Sequence, residues 1–353
     1  MTTNLVALDR FGILASKFMV MAFLVYCHLA MTQAFAADCE PPTVSAYTGP
    51  LFDAMAQSGQ GLDGEEAIRT AKSVGVTRMA LFARVHIKED GRSLVNHLAS
   101  AHPDFITLGT QKLFDMRGDL DSLYVNEVLD DIATKRYRFV GEILFTHGDK
   151  VNGEITATGE RYIDPNGPQT ERLVQGLKGL HVPIMTHWEV YDWNRDWPKF
   201  NRLYAAHPDQ IFIWPHLGFA SAQQAETVLA ANQNVWATLS KREPAKHNLR
   251  EESKEELVGG PVTDQCGNLL PEWREVMVRF SDRLMFATDA HMENRWRHYA
   301  RVVARWRVIL AQLPPNVASA IAYDNAPDSM ALLRHIKPPP RPNNIEGKRG
   351  PLS

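Results

Sequence analysis

The chain lacks a basic excess: 38 Lys and Arg stand against 41 Asp and Glu, for a formal net charge of −3. That removes the electrostatic footprint of a nucleic-acid-binding protein. It also lacks a Gly-x-Gly-x-x-Gly turn after its first strand-like run, which argues against a dinucleotide-binding fold. No long hydrophobic span is present near the start, where the apolar run Phe18 to Leu29 falls short of the roughly 20 residues that a bilayer-spanning helix needs. Cysteine is scarce, with Cys27, Cys39 and Cys266 only. What is there is ordinary for a globular protein, 44% apolar and 22% charged, and 353 residues suit one large α/β domain with extensions.

The first 36 residues read as an export signal. Arg10 and Lys17 precede the apolar run, and Ala34-Phe35-Ala36 supplies the small-x-small pattern of a cleavage site. Cleavage after Ala36 predicts an exported, periplasmic protein with no stable membrane association; an uncleaved anchor is the alternative. Asp38 before Cys39 argues against lipid attachment there. Cys39 and Cys266 then remain, as one disulfide or as two free thiols. Residues 37–49 form an N-terminal arm. Residues 336–353, with Lys337-Pro338-Pro339-Pro340-Arg341-Pro342, read as an extended, mobile tail.

Between 50 and 335 short apolar runs alternate with amphipathic stretches. Eight candidate strands fall at 50–55, 78–85, 105–109, 139–145, 182–186, 211–215, 235–239 and 284–288. Helical spacing fits a segment opened by Asp63 and Glu66, and then 120–135, 168–180, 197–206, 222–231, 272–280 and 296–313. Eight such units predict an α/β fold closed as a (β/α)8 TIM barrel. Two Ala-His-Pro-Asp segments place His102 and His207 at helix C-termini, the end of the barrel away from chemistry.

Reactive groups in this architecture come from the C-terminal ends of strands. Strand four carries Glu142, strand five ends in His187, strand six in His216 and strand eight in Asp289. An acid within an apolar strand must be paired, ligated or neutral, because an isolated buried charge is costly. Glu, His, His and Asp converging near the axis make a set suited to one divalent metal, zinc or similar. On the same rim Arg84, His86, His147, Lys241, Arg242 and His291 are candidates for holding a small-molecule substrate, the cationic ones through a carboxylate or phosphate. Trp188, Tyr191, Trp193 and Trp197 would either wall a pocket or pack over the barrel mouth.

The segments Pro50-Leu51-Phe52-Asp53-Ala54, Gly141-Glu142-Ile143, Pro183-Ile184-Met185-Thr186-His187, Trp214-Pro215-His216-Leu217-Gly218, Met285-Phe286-Ala287-Thr288-Asp289 and Tyr323-Asp324-Asn325-Ala326 resemble, in this order, the landmarks of the amidohydrolase-related family. The resemblance implies that His187 and His216 bind metal and that Asp289 holds or deprotonates the attacking water. It implies a structural role for Asn325. The chain departs from the family at strand one, where Met55-Ala56-Gln57 replaces a His-x-His pair. The first metal position is then lost, and Glu142 joins the two histidines in the second. The expected activity is metal-dependent hydrolysis of an amide, ester or lactone. A metal-independent lactonase, a decarboxylase-type lyase and an inactive exported binding protein are the alternatives, and a homo-oligomer is possible in each case.

Overall fold

The computed structural model describes residues 40–59, 61–86, 89–113, 118–151, 154–243, 260–291 and 293–326. The expected signal 1–36, Cys27, Cys39 and the tail 336–353 lie outside them; Cys266 is disulfide-bonded. Everything below belongs to the unit Pro42–Ser353.

Eight parallel strands form the core: β1 (Leu51–Ser58), β2 (Val76–His86), β3 (Ile106–Leu108), β4 (Val140–Val151), β5 (Ile184–Trp188), β6 (Phe212–Trp214), β7 (Val235–Thr238) and β8 (Leu284–Met285). Ladders join β1 to β2, β2 to β3, and then β4 through β8 in sequence order. Two parallel bridges complete the ring. Gly109 with Phe139 links β3 to β4, and Ala56 with Ala290 links β1 to the extension of β8. The second seam is reinforced by Ala54 N donating to Phe286 O (3.0 Å), Gln57 N to Ala290 O (2.8 Å) and Asp289 N to Met55 O (2.8 Å). The (β/α)8 barrel expected from the sequence is therefore the fold, with each expected strand present.

The helices are α1 (Gly64–Ser73), α2 (Arg92–Ala101), α3 (Ser122–Ala133), α4 (Pro168–Leu177), α5 (Trp193–Ala206), α6 (Ala222–Ala231), α7 (Pro271–Arg279), α8 (Glu293–Arg297), α9 (Tyr299–Ala311) and α10 (Pro315–Ser319). Asp63 caps α1 by accepting from Glu66 N. The sequence reading gave only the end of α2, at His102; its N-cap Gly91 offers no side-chain acceptor to mark the start. Helix α5 begins a turn earlier than expected, capped by Asp192, and carries Pro198 inside it. The expected helix 296–313 is broken at His298 into α8 and α9. His102 and His207 sit at helix C-caps and pair with Glu65 and Glu171 at 3.1 and 3.0 Å, as structural histidines do.

Side-chain alternation divides the buried residues into two layers. Phe52, Ala54, Ala80, Phe82, Phe139, Met185, Ile213, Met285 and Ala287 fill the barrel interior; a larger cluster packs the strands' outer faces against the helices. Gly141 is required inside: a Cβ there would lie 2.1 Å from Thr110 O. Beyond the ring, strands Glu89–Asp90 and Lys112–Leu113 pair with the end of β2, and Glu154–Tyr162 folds antiparallel onto the end of β4. These additions raise the rim at the C-terminal end.

Asp53 ties the closing seam from outside. Its carboxylate accepts from Thr288 N (2.9 Å), Thr288 Oγ1 (2.6 Å), Tyr299 Oη (2.8 Å) and Met55 N (3.2 Å). Burial outweighs these donors and raises its pKa to about 6. The native state thus holds this proton at pH values where the unfolded chain, at ~3.9, has released it. The stability from that proton is complete below pH ~4 and is lost as pH rises through about 6. The window corresponds to about 3 kcal/mol. Asp53→Asn should flatten the stability profile over it, measured by urea unfolding at fixed ionic strength; a profile parallel to wild type would contradict the assignment.

Candidate active site

Backbone irregularities set the site residues in place. In β1 a register shift between Asp53 and Ala56 changes the strand's phase, so that Met55 joins the interior cluster and Gln57 reaches Glu142 and Asp289. In β4 a shift between Val140 and Ile143 brings Glu142 inward after Phe139. His216, Lys241 and Asp289 all have left-handed backbones, φ 60°, 58° and 47°. Non-glycine residues adopt this conformation only where the surroundings enforce it, and such strain gathers at functional sites.

Four predicted residues meet in the mouth. His187 Nδ1 lies 2.6 Å from Glu142 Oε1, His216 Nε2 lies 3.6 Å from the same oxygen, and the two rings meet edge to face at 5.2 Å. Asp289 Oδ2 is 3.9 Å from His216 Nε2. All four are nearly inaccessible to solvent. Each imidazole has a partner on its other nitrogen. His216 Nδ1 contacts Ser240 Oγ at 2.8 Å, and His187 Nε2 lies 3.4 Å from Glu189 Oε1. Such outer partners fix ring orientation and tautomer, as they do for metal-binding histidines. Glu142, His187 and His216 form a group able to hold a metal ion, and the donor set fits a divalent one.

Strand one supplies no ligand pair. Met55 Sδ lies 3.9 Å from Ser240 Oγ in the wall, and Gln57 Nε2 donates to Asp289 Oδ1 at 2.5 Å and to Glu142 Oε2 at 3.3 Å. Lys112 Nζ pairs with Glu142 Oε2. Gln57 and Lys112 thus bring hydrogen-bond donors and a positive charge to the two acids. Sequence reasoning missed Lys112, Glu189 and Ser240 as site residues. A lysine in Gln111-Lys112-Leu113 after strand three and a second acid two residues beyond His187 were the signals for the first two; nothing marked Ser240.

The remaining candidates divide. Lys241 Nζ and His291 Nδ1 approach Asp289 Oδ2 at 3.2 and 3.5 Å. His147 stacks on His187 with centroids 5.6 Å apart. Arg84 lies close enough to Lys112 to disfavour its charge. His86 ends β2, and its side chain lies outside the described part of the molecule. Two expectations fail on geometry. Trp188 alternates with His187 and so points outward, stacked on Phe200 at 4.6 Å and Trp214 at 4.8 Å, away from any substrate. Trp193 and Trp197 join that stack. Arg242 is buried, donates to Ala220 O at 2.9 Å and lies over the Trp273 ring, bracing a loop. Asn325 donates to Ser281 O and Leu284 O at 2.6 and 2.7 Å, a structural tie as expected.

Charge follows from these contacts. Burial would lower the His187 pKa, but Glu142 and Glu189 outweigh it and raise it. Burial lowers His216, so its lone pair is available. Burial raises Asp289, but Lys241, His291 and His216 outweigh it and hold it at about 2. Glu142 stays well below the usual carboxylate range, because Lys112 and His187 overcome its burial.

A TIM barrel with a Glu-His-His-Asp cluster at its C-terminal mouth suits hydrolase or lyase chemistry. The chain belongs to the amidohydrolase family, whose model matches residues 132–328. No curated protein matches it. Among solved structures it is similar to a putative 2-pyrone-4,6-dicarboxylic acid hydrolase of Pseudomonas putida, 15% identical, covering 80% of this chain and 97% of that one, TM-score 0.50. A probable 2-pyrone-4,6-dicarboxylic acid hydrolase of Acinetobacter baumannii with citric acid bound is 10% identical, covering 80% and 100%, TM-score 0.51. A 2,6-dihydroxybenzoate decarboxylase from Rhizobium is 12% identical, covering 75% and 87%, TM-score 0.43. The likeness to the two pyrone hydrolase structures is one of fold.

In chelator-treated protein, followed by NMR of the ring protons, the His187 imidazole should titrate above the ordinary histidine range, because Glu142 and Glu189 hold its proton. Glu142→Gln removes the stronger of the two opposing carboxylates and should move it downward. An unchanged midpoint would show that Glu142 does not hold the His187 proton.

Proposed function

We propose that the protein is a metal-dependent hydrolase acting on an amide, ester or lactone bond of a small molecule. The observation that carries this reading is the convergence of His187 Nδ1 and His216 Nε2 on Glu142 Oε1, with Asp289 beside them. In this reading Glu142, His187 and His216 hold one divalent ion, zinc by donor type. When bound, such an ion polarises a carbonyl and makes water a stronger acid.

The chain's own groups do the rest. Asp289, held at about 2, is a stable anion and a weak base; alone it is poorly matched to unactivated water, which favours the metal-dependent reading. Lys241 and His291 fix its carboxylate, and Gln57 aims an N–H at its other oxygen. Asp289 accepts the proton of the attacking water and returns it to the leaving group. Arg84 and Lys241 bring positive charge to the rim and suit a substrate bearing a carboxylate. The disulfide at Cys266 supports an exported, oxidising location for the enzyme.

A metal-independent lactonase is the second reading, favoured by the contacts of Lys112 with Glu142 and Lys241 with Asp289, which balance both acids internally. The two readings part on metal. Elemental analysis of natively purified protein should find close to one divalent ion per chain, and anomalous scattering should place it among Glu142, His187 and His216, a position it should leave in His216→Ala. Against a panel of carboxylate-bearing lactones, esters and amides, Asp289→Asn should lower kcat by about 10²–10⁴-fold with substrate affinity retained. Full activity in chelated, metal-free protein would defeat the metal-dependent reading.

A further inference from the structure

His187 has a second set of neighbours on the side away from Glu142. Its Nε2 lies 3.4 Å from Glu189 Oε1, and His147 Nε2 approaches the same oxygen at 3.9 Å. One donor atom from each of the three residues falls within 4.8 Å of the others. Two zinc ligands at 2.0–2.1 Å from one ion stand ~3.3 Å apart in a tetrahedron. The first spacing is already there, and the second needs only a small turn of the His147 ring.

The elements that build this cluster do so by design of the backbone. In an unbroken strand Glu142 and His147, five residues apart, would face opposite sides. The register shift between Leu144 and Thr146 cancels that alternation, and His147 stacks on the His187 ring instead, at an interplanar angle of 28°. Glu189 is fully buried, and Gly148 N donates to its Oε2 at 3.0 Å. That bond leaves Oε1 turned toward the two imidazoles. His147 keeps about a third of its side chain exposed, which gives an ion a way in from the rim.

We propose that His147, Glu189 and the Nε2 of His187 form a second, outer binding site for a divalent transition-metal ion such as zinc. Its ligands are two imidazoles and one carboxylate, a composition found in zinc sites that keep an open position. The outer site competes with full coordination at the inner one. A neutral imidazole has a single lone pair, so His187 serves either Glu142's side through Nδ1 or Glu189's side through Nε2. With an ion outside, the ring proton lies on Nδ1 and is donated to Glu142; with an ion inside, it lies on Nε2 and is donated to Glu189. Excess zinc would therefore loosen the inner ion's hold on His187.

The outer site stands on its own contacts and does not require the inner assignment. Zinc binding to chelator-treated protein would be followed by calorimetry in three variants, with folding checked by circular dichroism, and anomalous scattering from zinc-soaked crystals would locate the ion. His216→Ala, which disables the inner site, should still bind one zinc, with its peak between His147 and Glu189. His147→Ala in that background should weaken binding at least tenfold, and His147→Gln, which keeps more of the side-chain volume, should do the same. Retained affinity in the double variants, absence of zinc from His216→Ala, or a peak elsewhere would overturn the proposal. His147→Ala alone reports on the inner site, so failure of that site would appear separately, as no zinc bound by this single variant.

Discussion

A single carboxylate, Glu142, holds the mouth of this barrel together. It is almost wholly removed from solvent on β4 and touches Lys112 from the strand-three extension, Gln57 from β1, His187 from β5 and His216 from β6. An isolated carboxylate there would be untenable, because desolvating one ion costs several kcal/mol. Four partners drawn from four staves of the cylinder remove that cost only if the barrel closes with the right register. The acid thus makes barrel closure and site assembly one event. The left-handed backbones at His216, Lys241 and Asp289 lie in the same rim, and such strain persists only where the surrounding structure over-determines it.

The local flips of strand phase are the second constraint. A regular strand offers the interior every other residue, which suits packing. Bulges in β1 and β4 break that rule close to the rim, and so bring Gln57, Glu142 and His147 into one neighbourhood. Below the bulges the interior is filled by apolar side chains such as Phe52, Phe82 and Met185. The change from a packed floor to a reactive mouth thus takes a few residues and no separate domain.

Much of this was readable in the chain before any coordinates. Eight apolar runs alternating with helical patterns define the barrel, and Glu142, His187, His216 and Asp289 announce themselves as polar residues at the ends of strands four, five, six and eight. What stayed hidden depends on contacts distant in sequence. Lys112 reads as a surface lysine until the position of β4 is known. Trp188 and Arg242 read as rim residues because their neighbours His187 and Lys241 are; alternation sends Trp188 outward, and the turn after β7 folds Arg242 beneath Ala220. Helix α2 lacks a side-chain cap, and the Asp192 cap of α5 precedes a proline that normally signals a helix start. Periodicity finds elements; it does not find a bulge, and the bulges are what aim the side chains.

The balance of charge in the mouth bears on how such a site would take a cation. Glu142, Glu189 and Asp289 are set against Lys112, Lys241 and a His187 whose proton the two glutamates stabilise. A divalent ion entering among Glu142, His187 and His216 needs the His187 Nδ1 lone pair, so it must displace the proton that Glu142 now holds there. Binding is then an exchange of an ion for a proton, weakened by acid and opposed by the nearby Lys112 charge. Lys112 therefore has two opposing effects: it makes the buried glutamate tolerable without metal, and it weakens that glutamate as a ligand. With Met55 and Gln57 at the strand-one positions, the acids of the mouth are balanced by Gln57, Lys112 and Lys241, and an entering cation would have to compete with those contacts.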